Sequence, residues 1–197
     1  VSTELPLFPL RTVLFPGGFL PLRIFEPRYV GLVRDCMRDG HGFGVTPIRH
    51  GGEAGAPAEP HPLGTLAEIV DFEQGQDGLL HIACRGTQRF RLLGHSVTRE
   101  GLLRGRIELI DEEAPTPLPD QNRHLKTVLQ KLLELESAST GQVVTVPSDS
   151  SNIVYRLMER LPLPWPLKLE ILATESSAKQ LEICGFALDQ LLQKQVN

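Results

Sequence analysis

The chain has 197 residues, 41% of them hydrophobic, with 20 Lys and Arg against 24 Asp and Glu for a formal net charge of −4. That length buries one good core, or one core with a smaller helical appendage, and the acidic balance argues against bulk attraction to nucleic acid or anionic lipid. Cys36, Cys84 and Cys184 make a poor disulfide framework, and neither a basic leader with an apolar stretch nor a bilayer-length apolar run is seen, so a cytoplasmic, reducing location is expected.

In chain order, Leu5-Pro6-Leu7-Phe8-Pro9-Leu10-Arg11 and Pro21-Leu22-Arg23-Ile24-Phe25 are short apolar runs interrupted by prolines. Proline cannot donate to a ladder, so both runs are expected at a sheet edge or in irregular pairing. Pro16-Gly17-Gly18 between them reads as a tight turn. Glu26-Pro27 opens a helix, because proline suits the first helical position and glutamate the positive end of the helix. Tyr29, Leu32, Val33 and Cys36 continue it at helical spacing to a stop at Gly40 and Gly42. Phe43 to Ile48 is a predicted strand, and Arg49 to Pro62, rich in Gly, Ala and Pro, a mobile loop. Leu66, Val70 and Phe72 alternate with Ala67, Ile69 and Asp71, which makes both faces partly apolar and predicts a central strand. Asp77-Gly78 predicts a turn, followed by β-like runs at Leu79 to Cys84, Gln88 to Leu93 and Leu102 to Asp111, separated by Gly86, Gly94 and Glu100-Gly101.

From Asp111 to Asp120 acids and prolines predict a stiff, solvated connector. The period then becomes helical through Leu125, Val128, Leu129, Leu132, Leu133 and Leu135, with Gly141 and Pro147 marking a loop. Ser148-Asp149-Ser150 offers a cap for a helix over Ile153 to Leu161, and Pro162, Pro164 and Pro166 around Trp165 force a break. A short helix over Leu167 to Ala173 and a last one from Ala178 to about Gln193 follow, the latter with capping-box spacing at Ser177 and Gln180. The pattern predicts an α+β chain: a β-rich barrel with an inserted helix over residues 1–112, a connector over 113–120 and a helical bundle over 121–197.

The opening block, Leu5 to Arg11, Phe15-Pro16-Gly17-Gly18 and Pro21 to Tyr29, resembles the start of the amino-terminal domain of Lon protease, especially its stand-alone relatives. Phe43-Gly44-Val45, Gly64-Thr65-Leu66-Ala67-Glu68-Ile69, and Asp77-Gly78-Leu79 leading to Gly86-Thr87-Gln88-Arg89-Phe90-Arg91 match the same pattern in the same order. Leu161-Pro162-Leu163 and Lys168-Leu169-Glu170-Ile171-Leu172 look like the helical part of that module. The resemblance implies a PUA-like pseudo-barrel followed by a helical subdomain, and a module that recognises substrate polypeptides; a similar domain occurs in cereblon. No Gly-x-x-x-x-Gly-Lys-Ser/Thr phosphate loop is present, and the length is too small for an ATPase plus a peptidase, so the resemblance carries over neither ATP hydrolysis nor proteolysis.

Residues with catalytic potential do not assemble in the sequence. His81 and Cys84 alternate to opposite faces of a strand, and Cys36 with His41 are too few for a zinc site. Ser96 points away from neighbouring His95, no Gly-x-Ser-x-Gly elbow exists, and the serines at 148, 150, 151, 176 and 177 sit where helix caps are needed. No catalytic residue, metal or cofactor is therefore expected, and an unrecognised hydrolase stays only as an alternative. Arg89 and Arg91 share a strand face among Arg85, Arg99, Arg104 and Arg106, which sets up a second alternative, an RNA-binding module of the PUA-like kind, against which the acidic total, Glu100 and Glu108 weigh.

Four aromatic residues are candidate contacts for a polypeptide: Phe15 and Phe19 around the first turn, Phe25, and Trp165 among its prolines. Each is a core plug or an anchor beside an open strand edge to which an extended peptide adds. The leading expectation is a non-catalytic polypeptide-recognition module, an adaptor in protein quality control, that captures unfolded or hydrophobic segments in the cleft between barrel and helices. A protease or chaperone is a further expected partner; nucleic acid and membrane are not.

Overall fold

Seven strands and one helix occupy the amino-terminal part of the computed structural model, which describes residues 3–76, 78–141 and 145–196. They are β1 (Thr3–Leu10), β2 (Phe19–Ile24), α1 (Pro27–Asp39), β3 (Phe43–His50), β4 (Glu59–Pro60), β5 (Leu63–Gln74), β6 (Leu80–Val97) and β7 (Leu103–Leu109). β1, β7, β6, β5 and β3 pair in that order, and a parallel β1–β3 pairing closes them into a ring. β2 stands off this ring and pairs only with β6 among the described residues.

The prolines of β1 are accommodated by a change of partner. Thr3 to Leu7 pair with β7 and Leu7 to Leu10 with β3, so each half of the strand is bonded on one side and a missing donor can face away from the ladder. Phe8, Tyr29, Leu32, Val33, Cys36, Phe43, Val45, Ile82 and Cys84 form one core between α1 and the sheet, with Phe8 stacked on Tyr29 at 3.9 Å. Leu5, Leu7, Phe90, Leu103 and Ile107 form a second core inside the ring. Helix α1 begins with Pro27 and ends at Gly40, whose φ of 68° provides the left-handed cap.

Two expectations differ from the structure. Gly86 does not separate two strands: β6 runs unbroken for 18 residues, and glycine is required because a Cβ there would lie 2.4 Å from the Phe15 carbonyl oxygen. Hydrogen bonds from Gly17 N to Gly86 O and from Gly86 N to Gly18 O lock the first turn against the strand. The segment 49–62 is tied down: β4 pairs with β3, Ala58 is buried, and Arg11 binds both the Glu53 carboxylate and the Gly51 carbonyl. The turn read at Asp77-Gly78 falls partly outside the described residues, since Asp77 does; Gly78 has a φ of 76°.

The chain divides into two compact units after Asp111. The second carries α2 (Arg123–Thr140), α3 (Ser150–Arg160), α4 (Trp165–Ala173) and α5 (Ser177–Val196). Its buried side chains include Leu125, Leu129 and Leu133 of α2, Ile153, Leu157 and Met158 of α3, Ile171 and Leu172 of α4, and Leu181, Cys184 and Leu188 of α5. Asp149 caps α3 by accepting from Asn152 N at 3.0 Å. The acid and proline segment is mostly exposed and is tied to this unit at two points: Ser177 N donates to Glu113 Oε2 at 2.8 Å, and Ser150 N donates to the Thr116 carbonyl. The loop marked by Gly141 and Pro147 includes residues 142–144, which lie outside the described residues. Gln180 makes no capping box; fully buried, its amide donates to Tyr155 Oη and to the Thr174 carbonyl. No described helix is long and apolar enough to cross a membrane.

Candidate functional site

Exposed Phe19, Val70 and Phe72 lie on a three-stranded ribbon built by β2, β6 and the outer half of β5. β3 pairs with β5 only through Thr65 to Ala67; from Glu68 to Gln74, β5 has β6 on one side and no strand on the other among the described residues. A bulge at Val70 shifts the register between Ile69 and Asp71. One face of the ribbon carries the row Leu20, Cys84 and Ile69 over the core, followed by Leu22, Ile82 and Phe72. The core stops before the strand does, leaving Phe72 54% exposed at the rim beside exposed Val70. The opposite face carries Phe19 with Arg85 and Glu68, then Pro21 with Ala83 and Asp71, then Arg23 with His81 and Glu73.

A groove of about 440 Å³ runs between the unpaired edge of β5 and the end of α1, with Met37, His41, Ile69, Val70 and Phe72 in its walls. It shares His41, Gly42 and Glu68 with a second groove of about 630 Å³ toward Leu5 and Leu102, and Asp71 and Phe72 with a third of about 310 Å³ beneath Phe19 and Pro21. The three follow β5 from Leu66 to Glu73, roughly 23 Å of extended chain.

The charges along this trough are unevenly neutralised. Arg38 is held by Asp39 at 2.8 Å and by Asp35 at 3.3 Å, and its guanidinium keeps the Asp39 carboxyl below the usual carboxylate range. Arg104 is bound to Glu4 at 2.7 Å. The central groove contains Glu68 and Asp71 but no lysine or arginine. Asp71 Oδ1 accepts from the Phe72 amide at 2.9 Å, which occupies one donor of β5.

Of the aromatic residues singled out in the sequence, Phe19 and Phe25 are more than half exposed. Phe15 is a correction: it is fully buried, so it cannot touch a surface ligand. The expected break falls between α3 and α4, over residues 161–164, but Trp165 is half-buried in the second unit and already opens α4, with Pro164 as N-cap and Pro166 within the first turn, because a proline that lacks a donor is tolerated at a helix start. Arg89 is a second correction. It is fully buried while Arg91 is exposed and faces Glu108 across the ladder, so the two do not form a basic surface for phosphate. Met37, Val70 and Phe72 were not singled out, because helical spacing and strand alternation place them in elements without revealing where the neighbouring strand ends.

Thiol chemistry is disfavoured by burial, which pushes the Cys36 thiol up to about 11 and those of Cys84 and Cys184 up to about 12. Among the described residues no group of three His, Cys, Asp or Glu side chains is placed to hold a metal ion.

The family model of the ATP-dependent protease La (LON) substrate-binding domain matches residues 4–190. A Lon protease of Anaeromyxobacter dehalogenans is 28% identical over 166 residues, 78% of this chain and 20% of that protein. Protein cereblon of Danio rerio is 29% identical over 120 residues, 58% of this chain and 27% of that protein. Among solved structures, a Lon N-terminal domain protein from Xanthomonas campestris superposes with a TM-score of 0.76 at 36% identity, covering 97% of this chain and 98% of that one. The N-terminal domain of a Mycobacterium avium complex Lon protease gives 0.66 at 15% identity over 92% and 96%, a likeness of fold. The chain spans about a fifth of the length of the curated Lon proteases it matches. With the match running through almost all of its residues, the chain belongs to the Lon substrate-binding domain family.

Proposed function

We propose that the chain is a non-catalytic polypeptide-recognition module, a cytoplasmic adaptor in protein quality control, and that it captures extended apolar segments along the outer half of β5. The observation that carries this reading is an unpaired strand edge from Glu68 to Gln74 set in a groove with exposed Met37, Val70 and Phe72. Main-chain pairing on such an edge is indifferent to sequence, while apolar seats beside it select exposed hydrophobic side chains, a combination suited to unfolded chains. The family match supports polypeptide substrates in a protease context, and the closed ring of strands supports a PUA-like pseudo-barrel.

The test is binding of a fluorescently labelled, permanently unfolded polypeptide to the wild type and to a Met37→Ser/Phe72→Ser variant. Both side chains are exposed, so the melting temperature is expected to hold, whereas binding weakens about tenfold as apolar burial in the complex is lost. Equal affinity of the two proteins contradicts the assignment of this groove.

A further inference from the structure

Resting on that reading, we infer that the β5 groove prefers extended segments in which apolar side chains alternate with lysine or arginine. Charge complementarity favours such segments. Glu68 and Asp71 line the central groove, Glu73 continues the series into the next, and no lysine or arginine lines the central one. Of the arginines in the two flanking grooves, Arg38 and Arg104 are already bound to Asp35, Asp39 and Glu4, and Arg23 stands in the row of His81 and Glu73. Glu68 has Arg85 as its cross-strand neighbour and Glu73 has His81 and then Arg23, but Asp71 faces Ala83 and then Pro21, neither of which carries charge. Asp71 is therefore the principal anchor for a cation, one residue from the apolar seat at Phe72.

The same charges argue against a second copy of this chain as the occupant. Pairing β5 with its own counterpart would bring Glu68, Asp71 and Glu73 of each copy together, and like charges placed opposite one another on a ladder are destabilising. An acidic segment meets the same repulsion. A basic, apolar segment meets neither, and its alternation suits a strand, whose successive side chains point to opposite sides.

The experiment uses three labelled peptides of equal length with Leu and Phe at alternate positions and Ser, Lys or Glu between them, titrated against the full chain. The lysine peptide is expected to bind about three- to fivefold more tightly than the serine peptide at low salt, as exposed ion pairs allow, and the glutamate peptide most weakly. The difference is expected to vanish near 1 M salt, where screening acts within about 3 Å, and in a Glu68→Gln/Asp71→Asn variant. Asparagine keeps an oxygen that can accept from the Phe72 amide, so the edge itself is preserved in that variant. Equal affinities for the serine and lysine peptides at low salt, in the wild type alone, overturn the charge preference while leaving peptide capture standing. A preference that persists unchanged in the variant also overturns it, and failure of all three peptides to bind removes the underlying reading as well.

Discussion

Single residues decide whether the ribbon is available. Gly86 lets the Phe15 turn close on β6, with the Phe15 side chain fully buried. Replacing Gly86 by alanine would drive a Cβ into a backbone oxygen, which cannot move as a flexible side chain would. Gly86→Ala is expected to lower stability by about 1–3 kcal/mol, read as a fall in the urea midpoint with little change in slope. An unchanged midpoint would mean that the turn is free to shift. At the other extreme, Phe72 is conspicuous for what does not cover it: its row partners Leu22 and Ile82 reach the core and it does not.

At the scale of elements, the edges of the ribbon are protected unequally. The bond from Gly86 N to Gly18 O sets the alternation so that Leu20, Leu22 and Ile24 exchange hydrogen bonds with β6, while Phe19, Pro21 and Arg23 direct their backbone groups outward. Pro21 thus removes a donor from the open side of β2, a known defence against edge-to-edge pairing. Pro21→Val is expected to shift the protein toward self-association in sedimentation velocity without lowering its melting temperature; an unchanged monomer fraction would show that this edge is covered by other means. β5 carries no proline in Glu68 to Gln74, only the bulge at Val70 and the Asp71 carboxylate on the Phe72 amide. The edge left more open to a partner is the one that lines the grooves.

Much of this architecture was legible in the sequence because it rests on local rules. Pro27 and Gly40 bracket α1 by their backbone requirements, and the helical spacing of Leu125, Leu129 and Leu133 marks α2 by its buried face. What could not be read depends on partners distant in sequence. Arg89 and Arg91 have the same spacing whether both are wet or one is interior, and Gly86 reads as a break until Phe15 is placed beside it. Phe72 belongs to a strand that is central at Thr65 and an edge at Glu68, a change determined by where β3 ends.

For the molecule as a whole, the proposed recognition site lies in the first unit, on β5. Hydrogen exchange of the full chain, with and without an unfolded polypeptide at saturating concentration, tests this most directly. Slower exchange is expected in Glu68 to Gln74 and in Met37 to Gly42, with α3 and α5 unaffected. Protection confined to other segments, with β5 exchanging at its free rate, would contradict it.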